Sequence, residues 1–342
     1  MKYSCFILGL FLLLQACSTD FKVGAPYKEV TVAYGLLSKS DTANYIKITK
    51  GFFDETISNL VVATKLDSLY FKDLSVTIEE LNNGSVVGTF TLPLVDVIQE
   101  GYIKQPGTFV DSPNYAYKFK HNLDPARTYR LKIKNNITGK EVEAETPIIS
   151  DLSNQFSITN PFTAFDKLNF SDPIQSYTFS WTSPANAVFF DVVLRFYYQE
   201  KNTNTLVVEY KYKDLPLLKN VLANGGNTSA QMKNIDFFRI LNSELKQPAS
   251  YISRYVDTPD LMIMGGGDVL KTYIDVNGAQ GGITYDQIKP NYTNFKGENI
   301  LGLFSTRVTK YLRQIAFTPS TVDSIINGSY TKNLNFVGTS SQ

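Results

Sequence analysis

Histidine, tryptophan and cysteine are nearly missing from this chain of 342 residues, which holds one His, one Trp and two Cys. The lone histidine, His121, excludes His-rich zinc sites and any centre that needs two imidazole ligands, and no set of cysteine ligands could replace them. A single Ser-His-Asp arrangement is the most the chain could build. His121 closes the alternating run Tyr115-Ala116-Tyr117-Lys118-Phe119-Lys120, so it reads as the exposed end of a strand. Net charge is missing as well: 33 basic side chains face 32 acidic ones. No long-range field is left to draw in nucleic acid or an acidic membrane surface. Complete calcium loops are absent, and Gly265-Gly266-Gly267-Asp268 lacks the Gly-Lys-Ser/Thr of a P-loop, which leaves it as a flexible connection between strands. The catalytic inventory is therefore thin, and a non-enzymatic role is expected. With 32 acidic residues some carboxylate pair lies at glycosidase spacing in any fold, but nothing in the sequence marks one with a raised pKa.

What is present fits a globular protein with a substantial core: 43% of residues are hydrophobic, 19% are charged, and the length suffices for two domains. The most informative stretch is the start. Lys2 is followed by an apolar run from Cys5 to Leu14, then by Leu14-Gln15-Ala16-Cys17. The run has about ten residues, well short of the roughly 20 that span a bilayer. These residues resemble a bacterial lipoprotein signal. The resemblance implies cleavage before Cys17, acylation of its thiol and amine, and a stable multi-chain anchor at about 0.8 kcal/mol per buried CH₂. Cys5 would leave with residues 1–16 and the Cys17 thiol would be consumed, so no disulfide could form in the mature chain. Loss of Lys2 would leave 32 basic residues against 32 acidic. No cofactor is expected beyond this covalent lipid.

Alternation of period two dominates the first half. Leu74, Val76 and Ile78 share one face, Asn82-Asn83-Gly84 supplies a tight turn, and Val86 to Leu94 resumes as a strand. A second hairpin sets Arg130, Lys132 and Lys134 against Glu141, Glu143 and Glu145 around a turn at Thr138-Gly139, which predicts cross-strand attraction on a solvated face. With Val30 to Leu37 and Tyr45 to Thr49 this makes a sandwich-sized unit over residues 28–147, behind a tether at 17–27. Pro147-Ile148-Ile149-Ser150 reads as the exit into a polar connection and the domain boundary. Residues 148–342 then read as a second β domain. Trp181 is predicted to lie in its core, and Ile235, Phe238, Leu241 and Leu245 predict one inserted amphipathic helix ended by Pro248. Tyr251 to Val256, Val269 to Val276 and Ile300 to Phe304 read as strands, and Thr318-Pro319-Ser320 as the cap of a short helix.

Leu123-Asp124-Pro125-Ala126-Arg127-Thr128-Tyr129-Arg130-Leu131 resembles the approach to a late strand in immunoglobulin-like and fibronectin-type sandwiches. Tyr177 to Trp181 followed by Val188 to Tyr197 is similar to the opening of a fibronectin-type module. The expected fold class is mainly β: two β-sandwich domains of this kind, the second carrying the helix. Two loops stand out as binding candidates because aromatics sit between strands: Asp96 to Asn114, with Tyr102, Phe109, Asp111 and Asn114, and residues 285–295, with Tyr285, Tyr292 and Phe295. Asp41-Thr42-Ala43, Asp67-Ser68-Leu69 and Asp323-Ser324-Ile325 resemble O-glycosylation sites of exported Bacteroidota proteins. Together with the signal and the domain order, the chain resembles two-domain outer-membrane lipoproteins of that phylum found beside TonB-dependent receptors. The resemblance implies an outer-membrane bilayer and an outer-membrane protein as partners. Ser18 after Cys17, in place of Asp, favours the outer membrane; Asp20 alone represents the acidic tract associated with surface export, so the face stays open, with the cell surface expected ahead of the periplasmic face. The expected role is capture of a nutrient, peptide or glycan; the alternatives are an assembly component of a secretion or gliding machine and a carboxylate-dependent glycan hydrolase.

Overall fold

The computed structural model describes residues 30–51, 63–104, 107, 109–152, 156–159, 167–278 and 292–340. The signal, the tether and Cys17 lie outside the described residues, as does Tyr285. The first half of the chain forms strands β1 (Val30–Leu37), β2 (Asn44–Gly51), β3 (Leu74–Asn82), β4 (Ser85–Thr91), β5 (Leu94–Asp96), β6 (Tyr115–Phe119), β7 (Thr128–Asn135) and β8 (Glu141–Pro147), with one helical turn α1 (Leu66–Leu69). The second half begins with β9 (Phe156–Thr159), β10 (Lys167–Leu168), β11 (Ser176–Thr182), β12 (Phe189–Asn202), β13 (Val208–Leu222) and β14 (Asn227–Lys233), which runs into helix α2 (Asn234–Glu244). It ends with β15 (Ile252–Val256), β16 (Asp260–Gly266), α3 (Asp268–Gly278), β17 (Ile300–Leu312), β18 (Ala316–Phe317), α4 (Pro319–Asn327) and β19 (Phe336–Thr339). The protein is mainly β and built of packed sheets.

Both predicted hairpins form. Asn83 and Gly84 take φ of 48° and 82°, the paired positive values of a two-residue turn between β3 and β4. Arg130 pairs with Glu145 at 2.7 Å and Lys132 with Glu141 at 3.1 Å across β7 and β8; being partly exposed, each contributes at most about 1 kcal/mol. On the other face of β7, Tyr129, Leu131 and Ile133 are buried, and the Tyr129 hydroxyl accepts the Asp124 backbone N–H at 2.9 Å. That bond ties the strand to the turn before it, a tyrosine corner in form. The expected strand Val86 to Leu94 is divided: β4 ends at Thr91, Pro93 donates no N–H, and β5 crosses to the opposite sheet.

The largest departure from expectation is the boundary at Pro147. β1 pairs in parallel with the first half of β17, from Thr31↔Ile300 to Leu37↔Thr306, and the second half of β17 pairs with β16. One ten-stranded sheet therefore runs through both halves in the order β19-β15-β12-β16-β17-β1-β2-β6-β5, with β13 on the free side of β12. Against its β17-β1-β2-β6-β5 part stacks the sheet β4-β3-β7-β8, and the core between them includes Phe295, Ile300 and Phe304 from the far end of the chain. The polar exit is likewise corrected. Ile148 and Ile149 are both fully buried, Ile148 in the first core and Ile149 in the second, and the Thr306 hydroxyl accepts the Ile149 N–H while donating to the Leu37 carbonyl. Gly302 makes the parallel junction possible: at φ +106° its Cβ would lie 1.9 Å from the Ala33 carbonyl oxygen.

The second core lies under the β12–β17 end of the large sheet, closed by β14-β11-β9, α2 and α4. Phe170 stacks on Phe237 at 4.4 Å, and Trp181 meets Phe190 edge-on at 5.2 Å, so Trp181 is core as predicted. Helix α2 follows the expected apolar spacing, and Thr318 caps α4 by accepting the Thr321 N–H. Val269 to Val276 is helix α3 instead of a strand, because Val269, Leu270, Tyr273 and Ile274 recur at i, i+1, i+4 and i+5 behind Asp268 in the first turn. Gly265 and Gly266 are not a flexible connection either: they end β16 in the buried sheet, where a Cβ on Gly266 would lie 2.3 Å from the Phe189 ring.

β12 and β13 form a long hairpin whose tip is tightly built. Asn202 Oδ1 accepts the N–H groups of Asn204 and Thr205, its carbonyl accepts Leu206 N–H, and its own N–H donates to Val207. Leu206 holds φ +60° while 68% exposed. That left-handed conformation costs a bulky L-residue about 1–2 kcal/mol.

Candidate functional site

On the face of the large sheet away from the first core, β1 and β2 present Tyr34, Leu36 and Tyr45, β17 presents Leu303 and Arg307, and the loop after β5 lays Tyr102 beside them. These residues line an open cleft of about 360 Å³. The phase of β1 explains the placement. Ala33, Gly35 and Leu37 point into the core, where a Cβ on Gly35 would already touch the Phe304 ring at 3.0 Å, so the larger Tyr34 faces outward.

The ring of Tyr45 meets that of Tyr102 edge-on at 5.2 Å, and Tyr45 Oη donates to Glu100 at 2.6 Å. Tyr34 meets Tyr273 of α3 edge-on at 6.1 Å, with their hydroxyls 3.2 Å apart. Burial first, then that hydrogen bond, pushes the Tyr34 phenol up to about 12, so it stays neutral and able to donate. Tyr34 is 41% and Tyr102 54% exposed, which leaves two ring faces open to a ligand. In the same cleft the Arg307 guanidinium pairs with the Asp41 carboxylate. Asp41 is set by the turn after β1, where buried Asn44 accepts the Ser38 N–H at 2.7 Å and returns a bond to the Ser38 carbonyl. Aromatic faces around a planar ion pair suit the flat side and the hydroxyl edge of a sugar ring.

Among the described residues of the loop from Asp96 to Asn114, Tyr102 lines this cleft and Glu100 reaches it through its bond from Tyr45. Asp111 accepts from Lys104 at 2.8 Å, Lys104 also donates to the Phe109 carbonyl, and the Phe109 ring is exposed away from the cleft residues. Asn114 accepts from Lys47, and Asp96 accepts the N–H groups of both Ile98 and Asn114, closing the loop at its base. Of the second predicted loop, Tyr285 lies outside the described residues. Phe295 is 7% exposed inside the first core, and half-buried Tyr292 is not among the cleft residues. Phe295 is a packing residue, because residues 292–306 complete the first sandwich.

Lys47 was invisible in the sequence, where it occupies an ordinary solvent-side position of β2. Its Nζ donates to Tyr70 Oη at 2.8 Å, to the Tyr115 carbonyl at 2.7 Å and to Asn114, and lies over the Tyr70 ring. Burial, then the charge of Lys104, pulls its pKa down to about 8 against the opposing field of Asp96. The unfolded side chain titrates near 10.5, so between pH 8 and 10.5 the unfolded chain binds the extra proton. Stability from this group should rise with pH across that window. Urea midpoints of the native protein and Lys47→Met, compared from pH 7.5 to 10.5, check it: their difference should grow in favour of the native protein, and a constant difference refutes the assignment.

A second cleft, about 480 Å³, opens beside Tyr197, Asp257, Thr258, Asp260, Arg313 and Gln314. Its buried carboxylate is committed to structure: Asp260 accepts Gln314 N–H at 2.8 Å and Tyr197 Oη at 3.2 Å, with Arg313 at 3.5 Å. His121 rests on the Phe90 ring at 4.2 Å with Nε2 3.5 Å from Glu80. Among the described residues, no three His, Cys, Asp or Glu side chains group as a metal site, and no helix is long and apolar enough to cross a membrane. Comparison of the sequence with protein-family models and with curated proteins gives no match in either.

Proposed function

We propose that the chain is a lipid-anchored outer-membrane lipoprotein that acts, without catalysis, as a capture or accessory subunit beside a TonB-dependent transporter. The cleft carries the capture role: partly exposed Tyr34 and Tyr102 line it together with the Asp41–Arg307 pair. That combination favours a glycan over an apolar nutrient, since ring stacking and a charged planar edge together match alternating C–H and hydroxyl surfaces. The location is supported by Leu14-Gln15-Ala16-Cys17 and by Ser18, and the likeness of the first sandwich to immunoglobulin-type sandwiches by the Tyr129–Asp124 bond.

Detergent-solubilised native protein should retain an outer-membrane partner on purification and bind at least one polysaccharide of an immobilised glycan panel. Replacing both Tyr34 and Tyr102 by Ala removes two stacking rings and should weaken that binding about tenfold to a hundredfold. Glycan binding that is untouched in the double variant would move the site elsewhere. A lone monomer that binds nothing on the panel would end the capture reading.

A further inference from the structure

The tip of the β12–β13 hairpin has the build of a membrane-contact element. We propose that it enters the interface of a lipid bilayer, as a contact separate from the acylated cysteine. Leu206, Val207 and Val208 follow one another at 68%, 56% and 41% exposure, and no charged residue lies between Lys201 and Glu209. The strain described above makes this arrangement informative. A turn of this shape favours Gly or Asn at the left-handed position, yet here a large apolar side chain is held there and turned to solvent.

The tip is braced, so the exposure is a fixed feature of the fold. Thr203 donates both its N–H and its hydroxyl to the Tyr251 carbonyl, Asn202 holds the N–H groups of Asn204, Thr205 and Leu206, and the Thr205 hydroxyl accepts the Val207 N–H. At its neck stand Tyr210, 78% exposed, and Tyr251, 45% exposed, side chains whose rings and hydroxyls suit the headgroup layer. Lys201 is the register partner of Val208 and has no ion pair among the described residues, so its ammonium is placed to meet lipid phosphates when the tip is inserted. An uncharged tip with tyrosines at its neck and, at its base, a lysine without an ion pair among the described residues matches a bilayer interface better than the flat surface of a second copy. The driving force is local apolar burial, which agrees with the absence of any net field.

The test uses the full chain carrying Leu206→Trp, mixed with vesicles of phosphatidylethanolamine and phosphatidylglycerol whose acyl chains bear bromine. Trp181, 2% exposed in the second core, supplies a constant background. Val86→Trp, on the exposed edge strand β4, is the control. Emission from the tip should shift to the blue and be quenched several-fold more than the control, and Val207→Trp, which is not in the left-handed conformation, should repeat the result. Lys201→Gln should weaken the effect on phosphatidylglycerol vesicles alone. Equal quenching of tip and control in chains that sediment with vesicles overturns the inference and leaves the acyl anchor standing. Chains that do not sediment with vesicles at all overturn both.

Discussion

Residues 28–147 produced alone are expected to stay unfolded, although their eight strands and regular alternation look like a complete sandwich. Removing the rest of the chain takes β17 from the side of β1 and takes Phe295, Ile300 and Phe304 out of the first core. Emptying a single buried Phe site costs about 3–5 kcal/mol, and a domain has only about 5–15 kcal/mol in total. The open β1 would also present an unpaired edge, an invitation to aggregate. Circular dichroism and urea titration of the fragment should show no cooperative transition. A rewired version, with residues 292–312 attached behind Pro147 through a short Gly/Ser linker, should recover one, since Lys296 lies antiparallel to Glu143 and the linker has little distance to span. A cooperative transition in residues 28–147 alone would refute the shared-core account.

The second large effect is expected at Arg254. Its side chain is nearly excluded from water, with Nε and Nη2 on Glu200 at 2.9 and 2.8 Å and Nη1 on the carbonyls of Lys246 and Leu334 at 3.0 and 3.2 Å. One guanidinium thus joins β12, β15, the end of α2 and the turn before β19. Arg254→Met leaves a buried carboxylate half-compensated and two carbonyls without their donor, and should cost about 3–5 kcal/mol. Thermal or urea unfolding checks the value, and restoration of full stability by Glu200→Gln in the same chain would show that the carbonyl contacts contribute nothing. Burial alone would raise the Glu200 carboxyl, but its bonds from Lys211 and Arg254 outweigh that and hold it below 4.5. Its contribution is therefore complete above pH 4.5 and lost as pH falls through the folded value, a loss the Met variant should show only weakly.

Local structure was legible in the sequence wherever chemistry and contact were close along the chain. Asn83-Gly84, the Lys/Glu ladder of β7 and β8, the spacing of α2 and the Thr318-Pro319 cap each specify geometry within a dozen residues. The parallel pairing of β1 with β17 does not, because Ile300 to Phe304 announces a buried strand without naming a neighbour some 270 positions away. The same limit hid most of the cleft. Tyr102 stood out in its loop, whereas Tyr34, Tyr45, Tyr273 and Arg307 come from four separate elements and meet only through the shared sheet. Phe295 shows the converse, an aromatic in a loop whose ring had a core to fill.

The parallel seam also sets an order of events. As the chain emerges N-terminus first, β1 to β8 can collapse, but the groove beside β1 stays open until Thr306 arrives, after nearly nine-tenths of the protein has been delivered. Contacts of such high sequence separation slow folding and prolong the life of sticky intermediates. Refolding of the chain from denaturant should therefore be slow and concentration-sensitive.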